Sequence, residues 1–87
     1  MPWCTVLHPE DNVAVALEPV SSGDRLPLSD GREIVAEDAI PFAHKVAIAP
    51  IPAGGEVRKY GEVIGEATSD IEVGQLVHVH NIKSRRA

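Results

Sequence analysis

Ala47-Ile-Ala-Pro-Ile51-Pro-Ala-Gly54-Gly-Glu-Val57 sets a small residue, a β-branched residue, a second small residue and an aliphatic one at steps of four, three and three. The same steps join Ala16, Val20, Gly23 and Leu26, then Ala36, Ile40, Ala43 and Val46, and finally Ala67, Ile71, Gly74 and Val77. A shift of 31 residues carries the first two sets onto the last two. Each set reads as a strand ending, an apolar plug turned inward from a loop, a small residue where the backbone bends, and a new strand. Chance is the weaker account, because four copies keep one spacing. The expectation is two similar halves about an approximate two-fold axis, in a compact barrel-like or clip-like all-β fold.

The segments between these plugs carry strand and turn chemistry. Val13-Ala-Val-Ala-Leu17 alternates larger and smaller apolar groups, which predicts a strand with Val13, Val15 and Leu17 on one face. Ser29-Asp-Gly-Arg32 suits a hairpin tip, and Pro27 marks the strand before it as an edge. Glu33 to Ala36, Lys45 to Ala49, Val57 to Lys59, Glu62 to Ala67 and Leu76 to His80 complete the expected strands, with a reversal at Tyr60-Gly61. No window of ten residues has helical periodicity, and Glu37-Asp-Ala-Ile40 is the best candidate for a single helical turn. Residues 1–10 show no pattern and read as a lead-in to a domain over 11–82, with a basic tail at 83–87.

Composition narrows the function classes. A chain of 87 residues is one domain, and at this size folding buries only about 60–65% of the unfolded surface. Trp3, Phe42 and Tyr60 are the only aromatic rings of their class, so the core rests on aliphatic side chains and Ala. That thin margin makes a partner surface or a homo-oligomer plausible. Cys4, near an end expected to be loose, excludes an internal disulfide and reads as a bystander thiol. With no long apolar run and no signal segment, the expectation is a cytoplasmic protein without a membrane partner. The net charge of -5 argues against nucleic acid, and the basic run Lys83-Ser-Arg-Arg86 reads as solvated.

Two polar clusters stand out. His78 and His80 are two apart on an expected strand, which would put both imidazoles on one face for a metal ion, with His44 or a partner carboxylate as a third ligand. The plainer account is a solvent-facing side of an edge strand. Lys59, Tyr60 and Glu62 flank the reversal, where Lys59 could hold a carboxylate, Tyr60 give a proton, and Glu62 act as base or metal ligand. A solvated Lys, a Tyr over the core edge and an ion-paired Glu are the ordinary alternatives.

The words Asp11-Asn-Val-Ala-Val-Ala, Ile40-Pro-Phe-Ala-His-Lys-Val-Ala-Ile, Lys59-Tyr-Gly-Glu-Val-Ile-Gly-Glu-Ala-Thr and Val77-His-Val-His-Asn resemble the N-terminal SAF domain, a β-clip fold, of the altronate/galactarate dehydratase family. That family also includes the small subunit of sulfolactate sulfo-lyase. The resemblance covers Asp11 to Asn81. It departs at Ala43, where the usual word has Gly, so a bend with added strain is expected there. It departs also in length, which matches a small, separately encoded subunit or an excised domain. The resemblance implies elimination of hydroxide or sulfite from a sugar acid or sulfolactate, in a site shared with a separate large catalytic subunit. It implies a divalent metal, Fe²⁺ ahead of Mn²⁺ or Zn²⁺, with His44, His78 and His80 as candidate ligands and Lys59, Tyr60 and Glu62 as candidate catalytic residues. The competing reading is a non-catalytic module that binds an acidic sugar or docks onto another protein.

Overall fold

The computed structural model describes residues 3–84. Among them the chain forms nine short strands and no helix. These are β1 (Cys4–Thr5), β2 (Val13–Ala16), β3 (Arg25–Pro27), β4 (Glu33–Val35), β5 (Lys45–Ala47), β6 (Glu56–Lys59), β7 (Glu62–Ala67), β8 (Leu76–Val77) and β9 (Ile82–Ser84). The central sheet has the order β1-β2-β5-β8, β3 and β4 form a separate hairpin, and β6-β7-β9 make a three-stranded sheet. All the ladders are antiparallel.

The four spaced sets become four turns that close on each other in pairs. Gly23 N–H donates to the Ala36 carbonyl at 2.8 Å, and Ala43 N–H returns the bond to Ala16 at 2.8 Å. Thirty-one residues on, Gly54 donates to Ala67 at 2.8 Å and Gly74 to Ala47 at 2.9 Å. The plugs pair as well: Val20 and Ile40 exchange both backbone hydrogen bonds, and so do Ile51 and Ile71. Within each turn the third residue has a positive φ, 91° at Gly23, 68° at Ala43, 81° at Gly54 and 91° at Gly74. A type II turn favours glycine at that position, and Ala43 fills it with a methyl group. The matching bonds bear out the repeat and the all-β expectation.

Each half encloses its own core. One cluster gathers Ala16, Val20, Leu26, Ala36, Ile40 and Val46 with Cys4, Ala14, Leu28 and Ile48. The other gathers Val13, Ala47, Ile51, Val57, Ala67, Ile71 and Val77. The central sheet separates them, because neighbouring residues of one strand face opposite ways: Val13 and Ala14 enter different clusters, as do Val46 and Ala47. The halves interlock at Gly74, whose carbonyl accepts from Glu37 N–H at 2.8 Å. A Cβ there would collide with the Val35 carbonyl oxygen. Nearby, Leu76 N–H donates to the Asp38 carboxylate at 2.9 Å.

Several sequence expectations need correction. β2 is not a one-faced strand: Ala14 and Ala16 are as buried as Val13, and Leu17 lies outside it and exposed. An interior strand with a core on both sides has no polar face to show in its sequence. Cys4 is not at a loose end, because it pairs with Ala16 and is fully buried. The ordered chain therefore starts before residue 11, and β9 takes Lys83 and Ser84 out of the expected tail. Arg85 and Arg86 of that basic run lie outside the described residues. Glu37 to Ile40 is not helical; its backbone bends toward Gly74 and ends in the Ile40–Val20 bridge.

The turns and the buried thiol lead to three predictions. Ala43→Gly should raise unfolding free energy by about 0.5–1 kcal/mol, since the left-handed strain of a Cβ outweighs the added freedom of the unfolded chain. Gly74→Ala should cost roughly 3 kcal/mol or more, because the backbone of one half blocks the new methyl. Urea melts of both variants check the opposed signs. Burial pushes the Cys4 thiol above its ordinary range. The unfolded thiol then ionises first, so this contribution is intact below the ordinary thiol pKa and is lost as pH rises toward the folded value. Stability should fall more steeply at alkaline pH in the native chain than in Cys4→Ala.

Candidate functional site

The β6–β7 hairpin presents Lys59, Tyr60 and Glu62 at its tip. Lys59 pairs with Glu62 across a two-residue loop, and Tyr60 (φ 59°) and Gly61 (φ 73°) both take left-handed backbone. That is the geometry of a type I′ turn, which matches strand twist but favours Asn or Gly in its first place. A tyrosine there costs about 1–2 kcal/mol. Asp11 compensates: its carboxylate accepts from Tyr60 N–H at 2.9 Å and from Gly61 N–H at 2.8 Å. Such charge-assisted bonds, made by a residue only 7% exposed, are among the stronger ones in a protein. Asn12 continues the clamp, accepting from Arg58 N–H at 2.8 Å and donating to the Glu56 carbonyl at 2.8 Å. The His8 ring covers the tip from outside, about 2.9 Å from where a Cβ on Gly61 would stand. The Tyr60 side chain is left largely in solvent.

The histidines are arranged differently from the sequence expectation. β8 ends at Val77, and His78-Val-His-Asn81 is a tight turn. Asn81 and Ile82 N–H both donate to the His78 carbonyl at 3.1 Å. The buried Asn81 side chain locks that turn, accepting from His78 N–H at 3.0 Å and donating to the Leu76 carbonyl at 2.8 Å. The alternation of a strand therefore does not place His78 and His80 on a common face. His78 meets His44 instead, with ring centroids 5.0 Å apart and planes tilted by 50°. The register explains the meeting, because Lys45 pairs with Val77 and the next residues out are His44 and His78. His44 Nδ1 lies 3.0 Å from the Phe42 carbonyl. A carbonyl only accepts, so Nδ1 carries a proton, and in the neutral ring Nε2 is then the lone-pair donor, the arrangement usual for a ligating histidine. Among the described residues no three His, Cys, Asp or Glu side chains assemble to hold a metal ion. The described residues thus bring two imidazoles together without a third donor.

Lys45 follows His44 in sequence. It is half-buried at the start of β5, beside His44, with Val15 and Val77 as cross-strand partners. Burial, and after it the nearby Lys59 ammonium, hold the Lys45 amine below the usual lysine range.

The family model of the altronate/galactarate dehydratase SAF domain matches residues 3–85. The chain belongs to this family. Altronate dehydratase of Bacillus subtilis (strain 168) is 40% identical over 78 residues, which are 90% of this chain and 16% of that enzyme. The (2R)-sulfolactate sulfo-lyase subunit alpha of Chromohalobacter salexigens is 36% identical over 88 residues, 93% of this chain and 94% of that subunit. Its counterpart from Paracoccus pantotrophus is 47% identical over 53 residues, 61% of this chain and 79% of that subunit. The SAF chain therefore spans about one-sixth of the altronate dehydratase, at 16%, but nearly all of the Chromohalobacter subunit, at 94%.

Seen in three dimensions, the quoted words of this SAF domain divide their labour. Asp11, Asn12 and Asn81 are loop clamps, while Lys59, Tyr60, His44 and His78 are what the clamped loops present. Sequence reasoning missed His8, Asp11 and Lys45 as contributors. Asp11 and Asn12 carried a usable signal, since adjacent Asp and Asn before a strand often bond to backbone. His8 and Lys45 carried none, because their roles come from contacts distant in sequence.

Asp11→Asn tests the clamp. The amide offers a single acceptor oxygen and turns an NH₂ toward one of the two N–H groups, a loss of about 2 kcal/mol. Hydrogen exchange at Tyr60 and Gly61 should accelerate far more than at Val46 or Val57. Equal acceleration everywhere would mean that Asp11 supports the fold at large rather than the tip.

Proposed function

We propose that this SAF domain is the small subunit, or the N-terminal domain, of a metal-dependent sugar-acid dehydratase or a sulfolactate sulfo-lyase-like enzyme. It lends rim residues to an active site that a large catalytic subunit completes. The observation that carries this is the near end-to-end match to a protein that is itself named as a subunit, at 93% of this chain and 94% of that one. The surface supports it. Phe42 and Val79, 61% and 80% exposed, flank His44 and His78 in sequence, and apolar groups left open around a polar site suit a covering partner.

In this reading His44 and His78 would hold the metal with further ligands from the large subunit. Such a metal, when bound, stabilises the charge that develops as the proton beside the substrate carboxylate departs. In this reading Glu62 takes that proton. Tyr60, at the apex of a rigid turn, gives a proton to the departing hydroxyl; a sulfite leaving group needs no such donor. Lys59 anchors the carboxylate. The Asp11 clamp acts on all three by fixing the turn that carries them.

Assays of the chain alone, with altronate, galactarate or sulfolactate and added Fe²⁺, Mn²⁺ or Mg²⁺, should show no turnover. Adding the cognate large subunit should produce it and raise the melting temperature of the small chain. In the assembled enzyme, His44→Ala and His78→Ala should each lower metal content and turnover by about tenfold or more. Full turnover by the isolated chain would overturn this reading. Acid binding without any large-subunit partner would favour the non-catalytic module.

A further inference from the structure

A cleft of about 450 Å³ opens between the N-terminal segment and the tip of the β3–β4 hairpin. Its size falls within the range of small-molecule sites, about 300–1,000 Å³. Hydrogen bonds fix both of its sides. Val6 N–H donates to Ser29 Oγ at 2.8 Å, and Ser29 N–H to the Cys4 carbonyl at 3.0 Å, which ties the N-terminal segment to the hairpin. Asp11 N–H donates to the His8 carbonyl at 3.0 Å, and the Asp11 carboxylate in turn holds Tyr60 and Gly61. The His8 ring lines the cleft and also packs on Gly61, so one side chain serves both the cleft and the β6–β7 tip. The elimination proposed above makes no use of this cleft.

We infer that this cleft binds a neutral polyhydroxylated chain, its hydroxyls on the polar groups and its C–H face on the apolar ones. Val6, Leu7 and Pro9 supply the apolar lining. Three donors remain for a ligand. Ser29 Oγ accepts from Val6 N–H, which leaves the hydroxyl proton to donate. Arg32 spends Nε and Nη2 on Asp30, at 2.8 and 2.7 Å, and among the described residues keeps Nη1. His8 Nδ1 accepts from Glu10 N–H at 3.1 Å, so in the neutral ring Nε2 carries the proton. Asp11 and Asp30 add acceptors, since carboxylate oxygens keep lone pairs beyond the bonds they already take. A hydroxyl donates and accepts at once, so a run of hydroxyls matches this mixture. Charge points the same way. Two carboxylates line the cleft against one guanidinium, which disfavours a carboxylate or phosphate ligand. A bare cation would leave the three donors without acceptors.

The test uses the ¹⁵N-labelled 87-residue chain, titrated with galactitol, with galactarate and with hexanediol. Galactitol should shift the amide resonances of Val6, Leu7, Ser29 and Arg32 saturably, and that of Gly61, under the His8 ring, should move with them. Those of Ile51 and Ile71, in the other core, should stay in place. Galactarate, the same chain with a carboxylate at each end, should bind more weakly, and hexanediol, without the run of hydroxyls, should give no saturable shift. His8→Ala and Arg32→Ala, both at exposed positions, should each weaken galactitol binding by about tenfold. Unmoved Ile51 and Ile71 resonances in these variants show that the fold is kept. No saturable shift with galactitol, equal shifts with hexanediol, equal or tighter binding of galactarate, or unaltered binding in both variants would overturn the site. The inference goes beyond the lyase reading and stands or falls without the large subunit, which the titration does not contain.

Discussion

Everything in this fold hangs on the reciprocal hydrogen bonds between turns. A small residue in left-handed backbone turns its N–H toward the carbonyl of the Ala that opens the partner unit, and the partner does the same in return. The exchange fixes where the two plugs meet. Val20 and Ile40, and again Ile51 and Ile71, are brought edge to edge and buried. Removing such a side chain from water stabilises by roughly 1.5–3 kcal/mol each, a large share for a domain with so little interior. Strands of two to six residues would not hold together by ladder bonds alone. They are held because the turns between them are themselves paired.

That dependence explains what could be read in advance. The turn units were legible because each needs a plug, a small residue and an aliphatic at fixed steps, and these requirements repeat with a shift of 31 residues. Tyr60-Gly61 was legible as a reversal because of its glycine, although Asp11, far away in sequence, is what makes a tyrosine tolerable there. The strand at Leu76 was read too long, since Val77-His-Val-His alternates perfectly. The override came from Asn81, whose side chain offers the backbone a turn in place of a ladder. β1 went unseen because two residues carry no period, and Cys4 is buried by neighbours that only the fold supplies.

The candidate site was legible in parts and not in its wiring. His44 and His78 could be named as polar residues near strand ends, but their meeting needs the β5–β8 register, which pairs Lys45 with Val77. His80 was tied to His78 by a strand argument that the turn removes. Lys45 looked like an ordinary strand-end lysine, and its environment is set by burial and by a cation from another hairpin.

The placement of the buried polar groups bears on how the rim of so small a domain would meet a covering partner. Asp11, Asn12 and Asn81 spend their hydrogen bonds on loop backbone, so the loops that carry Lys59, Tyr60 and His78 have their shape before any partner arrives. A rim fixed in advance loses little conformational entropy when it is covered. The apolar core gives the clamps a base, the clamps give the loops a geometry, and the loops leave Tyr60, Phe42 and Val79 open on the outside. An arrangement in which the interior is saturated with internal bonds while the rim is left unsatisfied is suited to completing a site built mostly by another chain.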